Sequence, residues 1–133
     1  MLSRAALAVL LLLAAAGAQA APRKAAAPAE DAPSPALLQR IAALALKQVE
    51  FGSVSLLPVR FAGSRIAGPI EDGGRVIYCV TGHMYGRTFG KPEKPRVALH
   101  YANDRLTVLD DDEVCTGHRT RPFPELDALG NAR

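Results

Sequence analysis

The sequence predicts an α+β domain: one N-terminal amphipathic helix packed on a mainly antiparallel sheet of five or six strands, with a half-barrel as its curled form, and one disulfide. Three observations carry this. A single run of helical period, residues 34–52, comes first. The later apolar runs have a period near two and are bounded by Gly, Pro, Asn or Asp. The chain of 133 residues has two cysteines, Cys79 and Cys115. A βαβ alternation is missing, and so are the GxGxxG and GxxxxGKS/T patterns, which disfavours a doubly wound nucleotide-binding fold.

The helix is read from SPALLQRIAALALKQVEFG. Ser34 is a capping residue, and Pro35 suits the first turn because its missing N–H would have had no intrahelical partner. Leu37, Leu38, Ile41, Leu44, Ala45, Leu46 and Val49 recur at spacings of three and four, so most share a face. Gln39, Arg40, Lys47 and Glu50 fall largely opposite, and Gly52 is the expected stop. In SVSLLPVRF the second half alternates, with Leu57, Val59 and Phe61 on one side. Pro58 cannot donate a ladder hydrogen bond, so an edge strand or two short pieces are expected there.

RIAGPIE reads as a weak strand broken at Gly68-Pro69, and EDGG is the strongest turn. RVIYCVTGHMYG reads as a central strand covered on both faces, because neither of its two faces is strongly polar. GRTFGKPEKP is a loop. RVALHYANDRLTVLD reads as a hairpin turning at Asn103-Asp104, residues that visit left-handed conformations at low cost. A short strand is expected around Val114 and Cys115, and RPFPELDAL is a closing segment pinned by Phe123, Leu126 and Leu129.

The domain plan has three parts. Residues 1–20 read as an export signal: Arg4, then a short apolar run, then Ala18-Gln19-Ala20 as a small-x-small cleavage pattern. The apolar run is shorter than a membrane span requires. Residues 21–35 are an Ala/Pro-rich spacer with nothing large to bury. Residues 36–133 form a single small domain. The expected location is the periplasm or the outside. The formal charge of +3 loses only Arg4 with the leader, and the basic residues are scattered with no aromatic interleaving, so no nucleic-acid partner is expected. No membrane contact is expected once the leader is removed.

Each cysteine is followed by Thr-Gly-His: YCVTGH at 78–83 and VCTGH at 114–118. Cys79-x3-His83 and Cys115-x2-His118 have the spacing of a two-cysteine, two-histidine zinc pattern. An oxidising compartment argues instead for a Cys79–Cys115 disulfide, which removes the thiolates that zinc needs. With the bridge formed, His83, Met84 and His118 remain a copper-type ligand set if the two histidines meet. The run Asp110–Glu113 lacks the ligand order of a calcium loop and reads as a solvated acidic turn. No serine stands in a GxSxG elbow, so no catalytic residue is assigned.

The stretch GHMYGRTFGKPEKP combines apolar anchors with cations on a Gly- and Pro-punctuated loop, the kind of segment where binding residues concentrate. The candidate binding residues are Met84, Tyr85, Arg87, Phe89 and Lys91. The layout is similar in outline to small periplasmic inhibitors of lysozyme: a signal, a compact β-rich domain and one cysteine pair. The chain has no tryptophan, hence not the tryptophan motif of that family, and no site residue is carried over. The expected function is a small non-enzymatic exported domain that binds another envelope protein or an envelope component through residues 82–95, with no cofactor. The alternative is periplasmic metal handling through His83, Met84 and His118; a small hydrolase is the third.

Overall fold

The computed structural model describes residues 32–133. The export signal expected at 1–20, and the spacer up to residue 31, lie outside the described residues.

Helix α1 spans Pro35–Leu46. The Ser34 hydroxyl accepts the Leu37 N–H at 3.1 Å, so the helix starts on a side-chain cap. Leu37, Ile41, Ala42, Ala45 and Leu46 are its buried residues. The helix stops well before the expected Gly52. The Gln48 amide donates to the Leu44 carbonyl, and the Arg133 guanidinium donates to the Leu46 carbonyl, so the last-turn acceptors are satisfied from outside the helix. A 3-10 turn, Val49–Phe51, follows and drives Phe51 into the core, and Gly52 ends that turn at φ 78°.

The strands are β1 (Arg60–Phe61), β2 (Arg65–Asp72), β3 (Arg75–Thr81), β4 (Met84–Tyr85), β5 (Arg96–Ala102), β6 (Arg105–Leu109) and β7 (Arg121–Pro122). Five make an antiparallel sheet in the order β6-β5-β3-β2-β7, and β1 pairs with β4 as a separate ribbon. Both tight hairpins turn where their local chemistry directs. Gly73 and Gly74 join β2 to β3 at φ 58° and 83°, and Asn103 and Asp104 join β5 to β6 at φ 52° and 61°. The expected break in β2 is a register shift between Ala67 and Ile70, and the strand continues through it.

Four expectations are corrected. The single N-terminal helix is one of two: the closing segment forms helix α2, Pro124–Asn131, at the C-terminus. This second helix is what α1 packs against most extensively, and it also covers β1. Its side chains complete the hydrogen bonding of the chain between β1 and β2. Asn131 takes the Phe61 N–H at 2.7 Å and gives its own N–H to the Phe61 carbonyl at 2.8 Å. Asp127 accepts from Gly63 N–H at 2.9 Å and reaches Ser64 N–H. Secondly, the edge strand or two short pieces expected in 53–61 reduce to Arg60–Phe61, whose partner β4 is likewise two residues long. Thirdly, Val114 and Cys115 lie in a 3-10 turn, Glu113–Cys115, rather than a strand. Lastly, a second sheet is present, the β1–β4 ribbon.

The core has two parts on opposite faces of the sheet. One face meets both helices through Ile66, Tyr78, Val80, Val97 and Leu99, with Phe51, Phe61, Met84, Phe123 and Leu126 filling between. The other face carries Ala67, Ile70, Ile77, Cys79 and Ala98, with Cys115 set against them. Cys79 and Cys115 form the disulfide, with Cα atoms 5.7 Å apart. The bridge fastens the turn after β6 to the central strand.

Candidate functional site

The two Thr-Gly-His echoes have unlike fates. After Thr81, Gly82 donates to the Pro95 carbonyl at 2.8 Å with the Phe51 ring against it, which leaves no room for a Cβ. His83 then donates its backbone N–H to the Ser64 hydroxyl at 3.1 Å, and its ring meets Tyr85 edge-on. Gly117, at φ 82°, turns the second echo, and His118 is exposed. Met84 is fully buried, with its sulfur close against Gly52, so it leaves the copper-type set of His83, Met84 and His118. Among the described residues, no group of three or more His, Cys, Asp or Glu is placed to hold a metal ion.

Ser64, His83 and Asp127 are neighbours of triad-like type, but Ser64 is 1% exposed and its hydroxyl holds a backbone N–H. Asp127 is engaged on the amides of residues 63 and 64. All three shape the loop after β1. The acidic run is likewise engaged in part: Asp112 pairs with Arg96 at 2.9 Å, and Asp111 accepts the Glu113 N–H at 2.8 Å.

The 82–95 stretch is a different matter. Met84 is the correction among its candidate binding residues. Opposite Phe61 in the ribbon, it points inward, whereas the next residue, Tyr85, faces solvent at 41% exposure. Arg87 is not a free cation either. Its Nε and Nη2 donate to the same Glu93 oxygen at 2.9 and 2.6 Å, and its Nη1 donates to the Val49 carbonyl at 3.0 Å. The Thr88 hydroxyl binds the other Glu93 oxygen. This clasp closes the loop between Gly86 and Pro92 and ties it to the 3-10 turn that follows α1. Phe89 is left at the tip, 101% exposed, and Lys91 is exposed beside it. A shallow depression of about 400 Å³ lies among Tyr85, Thr88, Phe89, Lys91 and Pro92.

Hydrogen bonds from Arg87 and Thr88 hold the Glu93 carboxyl below the ordinary carboxylate range. A depressed folded-state pKa contributes stability above the unfolded value and loses it as pH falls through the folded one. The clasp is therefore closed at neutral pH and opens in acid, as pH falls through the lowered folded-state pKa of Glu93. In an NMR titration, the amide signals of Thr88 and Gly90 are expected to move together in that acid range. Glu93→Gln is expected to abolish the movement; titration persisting in the variant would assign it to another group.

Sequence reasoning missed the second half of this surface. Antiparallel pairing of Arg60 with Tyr85 sends the chain before β1 and the chain after β4 out of the ribbon at the same end. Residues 53–58 therefore form a loop beside residues 86–92. It is rich in exposed apolar side chains: Val54 at 69%, Leu56 at 100% and Leu57 at 55%. The Ser55 hydroxyl bonds both N–H and C=O of Leu57, which builds the local turn. Ser53, Ser55 and Pro58 were the signal for a loop, masked by the alternation of Leu57, Val59 and Phe61. Val49, 57% exposed, adjoins through Arg87. Large apolar side chains thus gather at one end of the domain on two loops. Compared with protein-family models, with curated proteins and with solved structures, the chain finds no match.

Proposed function

We propose that the chain is a small exported, non-enzymatic domain that binds a component of the cell envelope through the end formed by residues 53–58 and 86–92. One observation carries this: Leu56 and Phe89 are as exposed as in an unfolded chain, on neighbouring loops held by specific hydrogen bonds. Scattered exposed apolar residues are ordinary, but several gathered at one end mark an interaction surface. Export rests on the leader read at residues 1–20 and on the disulfide, which fits an oxidising compartment. Among the described residues, no helix is long and apolar enough to cross a membrane.

Co-sedimentation with isolated cell envelopes tests the reading. The wild-type protein is expected in the pellet. The Leu56→Ser, Phe89→Ser double variant is expected in the supernatant, with its thermal midpoint unchanged because neither side chain packs in the fold. Equal partition of the two proteins would remove the surface from consideration.

A further inference from the structure

We infer that this end of the domain seats on an anionic lipid surface, with Leu56 and Phe89 entering the apolar layer and nearby cations meeting the headgroups. The inference rests on the binding surface proposed above and names its target.

Three features favour lipid over a protein pocket. The first is shape. Leu56 and Phe89, at 100% and 101% exposure, have nothing packed on them and stand at the tips of two adjacent loops. A protein anchor would need a pocket in one particular partner, whereas a fluid apolar layer accepts convex tips without one. The second is charge. Arg60 sits opposite Tyr85 at the mouth of the ribbon, and Lys91 stands two residues from Phe89. Lys94 follows the residue that bridges to Met84, and Lys47 caps the C-terminal end of α1, two residues before Val49. All four cations are exposed, and none is in an ion pair among the described residues. Against them stand the exposed carboxylates of Glu50 and of Asp110, which lines a depression with Gln48 and Glu50; Asp112 there is paired with Arg96, and Glu93 is taken up by Arg87 and Thr88. The surface therefore pairs apolar tips with net positive charge, the complement of acyl chains beneath anionic headgroups.

The third is rigidity. The Arg87–Glu93 clasp, the Ser55 turn and the close approach of Gly86 to Pro58 hold the tips out without support from a partner. The ordering cost is met in folding rather than at the membrane. This departs from the expectation of no membrane contact after signal cleavage. The difference comes from Leu56, which the strand reading of SVSLLPVRF did not mark as an exposed loop residue.

The test uses the oxidised mature protein and vesicles of two kinds: phosphatidylglycerol mixed with phosphatidylcholine in equal parts, and phosphatidylcholine alone. Sedimentation is expected with the anionic vesicles, weakening as salt is raised. Removing either apolar tip with Leu56→Ser or Phe89→Ser is expected to lower partition by about tenfold or more. Charge reversal with Lys91→Glu is expected to lower it by at least about fivefold, since each cation near an anionic bilayer contributes about that much. Equal binding to both vesicles, or binding that ignores salt and Lys91→Glu, would overturn the headgroup part of the inference and with it the choice of lipid. Binding to envelopes but to neither vesicle would overturn the lipid target and leave the binding surface intact, with a protein as its partner. Binding to neither envelopes nor vesicles would overturn both readings.

Discussion

With Cys79 and Cys115 both replaced by Ala, the folded state is expected to lose about 4 kcal/mol. The two residues are 36 positions apart, so the bridge closes a long loop, and constraining that loop in the unfolded chain is the main source of the effect. For a domain of this size the loss is a large share of total stability. Geometry adds to the entropy. The turn carrying Cys115 is not in any ladder, and the segment after it rejoins the sheet only at the two residues of β7. Without the bridge, Ala67, Ile70, Ile77 and Ala98 lose cover on the face away from the helices. Urea denaturation of the oxidised protein and the double variant measures the difference. A loss below about 1 kcal/mol would mean that Arg65 on Thr120 and Arg121 on the Gly68 carbonyl are sufficient to hold the segment.

Gly86→Ala is expected to cost about 3 kcal/mol and to abolish envelope co-sedimentation. Gly86 has φ 107°, and a Cβ there would lie 2.5 Å from the Pro58 carbonyl oxygen. That obstacle is backbone, which cannot swing aside as a side chain can. The backbones at Pro58 and Gly86 would have to separate, which displaces the loops that carry Leu56 and Phe89. Gly90→Ala is the matched comparison: φ is 75°, but nothing stands within 4 Å of its Cβ position. It should show the conformational cost alone, about 1 kcal/mol. If the two variants prove equally stable in denaturant, close packing of the loops is not what Gly86 provides.

How much of this was legible depended on how locally each feature is specified. Gly73-Gly74 and Asn103-Asp104 turn where they should because a tight turn needs only its own residues. The cysteine pair was legible from compartment chemistry. The start of α1 follows from Ser34 and Pro35, but its end does not. Arg133, far along the chain, is one of the groups that terminate it. Helix α2 escaped because eight residues give too short a period to recognise. Its Gly130 looks like a breaker, yet it is needed because the Phe61 ring lies where a Cβ would point, 2.5 Å away. The candidate site was half legible. Tyr85, Phe89 and Lys91 were picked by residue type and are exposed, and Met84 is buried because its inward direction is set by pairing with Phe61. The loop before β1 was misread because the alternation of Leu57, Val59 and Phe61 cannot by itself tell a paired strand from a loop that happens to alternate.

Strand β6 bounds the five-stranded sheet, and along its outer side no other strand pairs with it among the described residues. An open edge invites another chain to add to it, and exposed Val108 would make such an addition adhesive. Charge stands at both ends of this edge: Arg105 begins it, and Asp110, Asp111 and Asp112 follow its last residue. Two copies approaching side by side and antiparallel would set cation against carboxylate, whereas parallel pairing of the two edges would set like charges opposite one another. The acidic run, read in the sequence as a solvated turn, thus sets like charges side by side in any parallel addition to the open edge, which disfavours that addition.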